Sequence, residues 1–234
     1  MTSWALPKPK ARTPKDLPSV QFPSDVFAVK PLHWGGGKAA LKKQMALLSP
    51  TEGKVLGAGV YGQVKFSRGG VHKRFKEVVP GKHKKKKPKW QPYMEGEHLW
   101  AKALQQRKFK PKHALEMQPS TGGRGIRMPF FRGLTLYNMI RFNLLKPQMT
   151  GVMLRDLRNQ VEEISRLHFL MDDVHLNNIM VNPESGHAKF IDYGMYSYEP
   201  ATPVLKLYVE NLMRVARTLD SVLRSRKANK NNKK

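Results

Sequence analysis

Between Gly57 and Val64 the chain reads Gly57-Ala58-Gly59-Val60-Tyr61-Gly62-Gln63-Val64, three glycines whose spacing alone leaves several readings open. A dinucleotide-binding fold needs a helix to start directly after such glycines. Here Val64, Lys65 and Phe66 continue as an alternating strand, which argues against it. A P-loop needs Lys and then Ser or Thr directly after its last glycine. Gly62 is followed by Gln63 and Val64. A glycine-rich turn between two antiparallel strands remains. Glycine there lets the backbone approach phosphate oxygens and donate N–H bonds to them. An ordinary hairpin turn fits the same residues.

The neighbouring pattern extends the strands. Val55 and Leu56 precede the glycines, Ser67-Arg68-Gly69-Gly70 signals a turn, and Val71, Lys73 and Phe75 alternate beyond it, so residues 53–79 read as a hairpin or meander. Glu95 to Leu104 reads as a helix, Ile126 to Phe131 as a buried strand and Leu134 to Ile140 as a short helix. Leu154, Leu157, Val161, Ile164 and His168 share one helix face, with Thr150 placed to cap it. Short strands at Ile179–Val181 and Lys189–Ile191 flank the turn Asn182-Pro183-Glu184-Ser185-Gly186. A last helix from Val204 to Leu223 carries the stripe Leu205, Tyr208, Leu212, Val215, Leu219 and Val222.

Charge and proline mark the flanks. Residues 1–50 form a basic, proline-rich arm, expected to be partly disordered, with a short basic helix over Ala39–Leu48. A lysine run occupies 82–89, and 224–234 is a basic tail expected to fray. Forty-three Lys and Arg against seventeen Asp and Glu leave the chain at +26. Such a field favours a polyanionic partner: nucleic acid, an anionic membrane surface or an acidic protein. A solvated surface is the plainer reading of the same charges. Without cysteine there is no disulfide, thiolate nucleophile or cysteine-ligated zinc. Met1–Lys10 lacks a signal peptide's apolar core and no apolar run reaches membrane-spanning length, so a soluble chain with one main domain is expected.

The chemistry concentrates later. In Leu167-His168-Phe169-Leu170-Met171-Asp172-Asp173-Val174-His175-Leu176-Asn177-Asn178 an acid stands five residues before an asparagine, and Phe190-Ile191-Asp192-Tyr193-Gly194 places a second acid after an apolar strand. Magnesium takes oxygen ligands from carboxylates and amide carbonyls, with phosphates completing its shell. A separate carboxylate can take the proton of an attacking hydroxyl.

The ordered set resembles protein kinases and their relatives over roughly residues 53–223: glycine loop, strand lysine, helix glutamate, Asp with Asn five later, then Asp-Tyr-Gly. The resemblance implies an α+β, two-lobed protein-kinase-like fold with a reduced C-terminal lobe. Its domain would cover 51–223, with the N-lobe about 51–128 and the C-lobe about 132–223. It implies ATP with Mg2+, or Mn2+, as cofactors. It makes Asp173 the catalytic Asp, Asn178 and Asp192 the magnesium ligands, and His175 a group near the transferred phosphoryl or a brace for the loop. Gly57, Ala58, Gly59, Val60, Tyr61, Gly62 and Val64 would cover the nucleotide, and Met128 and Phe130, in Met128-Pro129-Phe130-Phe131, would meet the adenine. Alternation puts Lys73 inward with Val71 and Phe75, favouring it over Lys76 as the phosphate lysine. Glu97 is preferred to Glu95 as its partner, because Trp100, Ala101 and Leu104 follow it at the family's apolar spacings.

The pattern departs from the family at Met171-Asp172-Asp173, where kinases carry His-Arg-Asp, and no Ala-Pro-Glu motif follows Gly194. Switching by an activation-loop phosphate is therefore not expected, and a protein substrate would be recognised by the arm, the lysine loop, the last helix or a partner. The compact form is similar to effector kinases that bacterial pathogens inject into host cells and to compact viral kinases. By that analogy, the expectation is a Ser/Thr protein kinase in a host cytoplasm or nucleus. The alternatives are a pseudokinase-like basic module binding nucleic acid or acidic protein, and a sugar or lipopolysaccharide-type small-molecule kinase.

Overall fold

The computed structural model describes residues 37–58, 62–68, 70–75, 91–120 and 125–231. The arm up to residue 36, Gly59, Val60, Tyr61, Lys76 and the lysine run at 82–89 lie outside the described residues, as does the end of the tail beyond residue 231. The described chain is a mixed α+β structure with antiparallel sheets.

The basic helix near the start is present as α1 (Lys38–Met45), continued by a 3₁₀ turn at Ala46–Leu48. β1 (Val55–Ala58), β2 (Gly62–Ser67) and β3 (Gly70–Phe75) then form the expected antiparallel meander. α2 (Gln91–Gln106) follows, and β4 (Gln118–Pro119) and β5 (Gly125–Pro129) complete a sheet of order β1-β2-β3-β5-β4. The register sets Lys73 between Val64 of β2 and Ile126 of β5. Val71 and Phe75 are buried and Arg74 is exposed, so period-two alternation carries Lys73 to the inner face. The strand drawn to Phe131 stops at Pro129, because β3 ends opposite it at Gly70 and offers no further partner.

The second half holds β6 (Leu134–Thr135), α3 (Leu136–Arg141), α4 (Pro147–Arg166), β7 (Phe169–Met171), β8 (Ile179–Val181), β9 (Ala188–Phe190), β10 (Tyr196–Tyr198) and α5 (Val204–Asn231). Leu134 and Thr135, expected in a helix, pair with β8, and the Thr135 hydroxyl caps α3 by accepting from Asn138 N. Thr150 is not a cap: α4 starts three residues earlier at Pro147, whose fixed φ and missing N–H suit a first helical turn. His168 is buried as its spacing predicts, but it lies past the helix end in a left-handed conformation, φ 63°.

On α5, Val204, Leu207, Tyr208, Leu212, Val215 and Leu219 form the buried face, and Leu205, counted into the stripe from spacing, is exposed. The helix also passes the expected boundary at Leu223. Residues 224–231 contain no Gly or Pro, and half of them are Arg or Lys, which favour helix.

One carboxylate straps the two halves together. Glu163 of α4 accepts from the backbone N–H groups of Lys112, His113 and Ala114, in the loop after α2. Lys189 Nζ donates to the carbonyls of His113 and Ala114 in the same loop. No helix among the described residues is long and apolar enough to cross a membrane. The chain has no cysteine and so no disulfide.

Candidate active site

β3, α2 and the segment after β9 converge on one ammonium. Lys73 Nζ lies 2.8 Å from Glu97 Oε1 and 2.8 Å from Asp192 Oδ1. Glu97 is fully buried and Asp192 is 42 % exposed. A single positive charge thus serves two carboxylates in unequal surroundings. Burial drives the Glu97 carboxyl up to about 7, only partly opposed by Lys73 and reinforced by Asp192. Burial also raises Asp192, but the Lys73 charge outweighs it and holds Asp192 below its ordinary value. Lys73 is lowered by burial, and the two carboxylates more than reverse that. Glu97 Oε2 is buried with no hydrogen-bond partner among the described residues, in keeping with a carboxyl that retains its proton readily.

Glu97 reaches this point because residue 96 is glycine. A Cβ there would run into the carbonyl of Gly194, so α2 lies directly against the Asp192-Tyr193-Gly194 turn. A glycine inside a helix costs about 1 kcal/mol relative to alanine, and this close approach gives its reason. Tyr193 is buried and stacked on Trp100 at 4.9 Å. Its hydroxyl accepts from Leu115 N, and Trp100 Nε1 donates to Leu115 O. Trp100, Ala101 and Leu104 are all buried, as expected of residues following the inward Glu97. Asp192 has φ 62°, a left-handed backbone that a non-glycine residue adopts at some cost and that occurs often at functional sites.

The other acid pair is local. Asn178 Nδ2 donates to Asp173 Oδ2 and to the Asp173 carbonyl, both at 3.1 Å. His175 Nε2 lies 3.5 Å from Asp173 Oδ2, and its Nδ1 accepts from Asn177 N, so the histidine both approaches the acid and braces its own turn. Asp173 is 39 % exposed. Ile191 N donates to Asn178 O, where β8 and β9 pair, so Asn178 and Asp192 share one end of that hairpin. The amide nitrogen of Asn178 is thus committed to Asp173. Among the described residues no three acids or histidines gather into a metal-binding group. Asp192 and Asn178 are the residues here whose oxygens could contribute to holding a divalent cation.

α5 supports this loop from below, which motif reading missed. Asn211 is fully buried; its Oδ1 accepts from Met171 N at 2.8 Å, and its Nδ2 donates to Phe169 O and Ser165 Oγ. Thr218 Oγ1 donates to Val174 O at 2.6 Å. Asp172, at the departure from the kinase pattern, pairs with Arg214 at 3.2 Å and accepts from Ser197 Oγ. Asn211 was detectable: with Tyr208, Leu212 and Val215 it keeps three- and four-residue spacing on the buried face.

Of the remaining candidates, Gly57 pairs with Val64, and Ala58 with Gln63. Gly62 lies opposite Phe75, where a Cβ would stand 2.7 Å from Arg74 O, whereas a Cβ at Gly57 would meet open space. Met128 packs partly buried on the core, and the Phe130 ring meets Phe66 edge-on at 5.2 Å. Gly59, Val60 and Tyr61 lie outside the described residues, as does the side chain of Glu95. Among known proteins, no family model and no curated sequence matches this chain.

Proposed function

We propose that the chain is an ATP-dependent phosphotransferase of protein-kinase-like, two-lobed build, acting on a protein Ser or Thr hydroxyl. The observation that carries this reading is Lys73 held between Glu97 and Asp192, residues brought together from across the chain. In this reading Lys73 neutralises phosphate oxygens and Glu97 keeps it aimed. Asp192 and the Asn178 amide oxygen would hold Mg2+ or Mn2+, which offsets phosphate charge. Asp173, partly exposed and oriented by Asn178, accepts the acceptor hydroxyl's proton as the new O–P bond forms and ADP leaves. The backbone of the β1–β2 turn would cover the phosphates.

The test is transfer of labelled phosphate from ATP with magnesium to acidic proteins and to the chain itself. Transfer by the wild type, abolished in Asp192→Ala and in Asp173→Ala, is expected. Transfer to sugar acceptors alone would move the reading to a small-molecule kinase. The charge of +26 favours a second reading, a basic module that binds nucleic acid or acidic protein. Absence of transfer, together with salt-dependent polyanion binding indifferent to Asp192→Ala, would establish that one instead.

A further inference from the structure

Among the described residues, no element packs over one face of α5. Leu205, Val209 and Met213 recur every four residues and are 44, 41 and 49 % exposed, while the opposite face packs against α4 and β7. They line an open groove of about 630 Å³ rimmed by Lys206, Arg214 and Arg217. Single exposed apolar residues are ordinary on a surface; here three at successive turns of one helix face line up beside cations. Glu210, the acid in the groove, is already held by Arg214, which also pairs with Asp172. Lys206 and Arg217 form no ion pair among the described residues.

We propose that this groove docks an acidic amphipathic segment of a partner protein. Its apolar side chains would lie on Leu205, Val209 and Met213, with its carboxylates against Lys206 and Arg217. Charge complementarity selects this occupant. A second copy would bring the same basic rim, on a chain of net charge +26. Nucleic acid would satisfy the cations and leave the apolar stripe uncovered. Arg214 reaches from the groove to Asp172, the neighbour of Asp173, so a docked segment lies next to the loop read as catalytic. That the segment belongs to the phosphoryl acceptor rests on the phosphotransferase reading; the docking surface does not.

The experiment is fluorescence anisotropy of the full chain with a labelled peptide of about four helical turns. It carries leucines on one face and glutamates on the other, and a control of the same composition scatters the leucines around the helix. The amphipathic peptide should bind at least about tenfold tighter, a difference near 1.4 kcal/mol. Val209→Glu/Met213→Glu should remove that preference, and Lys206→Glu/Arg217→Glu should weaken binding without touching the stripe. Equal binding of the two peptides would reduce the groove to general polyanion attraction and overturn the proposal. So would a wild-type dimer that Val209→Glu/Met213→Glu turns into a monomer, or an oligonucleotide whose binding those two substitutions abolish. Binding is read without ATP, so failure here leaves the phosphotransfer test standing, and the reverse holds.

Discussion

The lysine cluster and the Asp173 loop meet at one end of the β8–β9 hairpin but are built in opposite ways. Lys73, Glu97 and Asp192 come from separate parts of the chain, and two of the three are well buried. Asp173, Asn178 and His175 fit within one turn, and Asp173 and His175 are exposed to solvent. A buried ion cluster bears on stability, because removing one partner strands charge away from water. An exposed acid in a turn contributes little stability and stays open to a substrate. The difference separates what holds the site together from what would do its chemistry.

Substituting one member from each side breaks the comparison most sharply. Asp173→Asn should lower phosphate transfer by on the order of 10²–10⁴-fold, with urea unfolding within about 0.5 kcal/mol of wild type. Lys73→Met should also end transfer, and should cost about 3 kcal/mol of stability, the lower end for a broken buried pair because Glu97 can take up a proton. Equal destabilisation by the two substitutions would erase the distinction.

Gly96→Ala tests how the buried side is assembled. Alanine favours helix by about 1 kcal/mol, yet its Cβ would strike Gly194 O. A net loss of about 1–3 kcal/mol from overpacking is expected, with transfer falling as Glu97 moves off Lys73. A more stable, fully active variant would show that the close approach is not required.

A pH dependence tests the same buried carboxyl without altering its neighbours. Glu97 titrates at about 7 in the folded chain, above its ordinary value, because it is buried. Folding therefore binds a proton, and the associated stability is present below the ordinary carboxylate range and lost as pH rises through about 7. Asp192, shifted down, works the other way: its contribution is present above its ordinary value and is lost as pH falls through its folded one. Thermal melts should show wild type losing stability relative to Glu97→Gln, which cannot titrate, between about pH 5 and 8. Parallel curves would mean that Glu97 stays ionised throughout.

Much of this was legible in residue order alone. Period-two alternation placed Lys73 on the inner face of β3, and the stretch from Leu167 to Gly194 showed the acids and the asparagine in their turns. The resemblance to the kinase spacing favoured Glu97 over Glu95, and Trp100, Ala101 and Leu104 are buried beside an inward Glu97. These features repeat over a few residues, and local backbone geometry dictates them. Packing between distant segments decided the rest: the contact of Gly96 with Gly194, the grip of Asn211 and Thr218 on the loop, the pairing of Asp172 with Arg214, and the exposure of Leu205 on α5. Helical periodicity says that a face is apolar, but only the neighbours packed around it determine whether that face is covered.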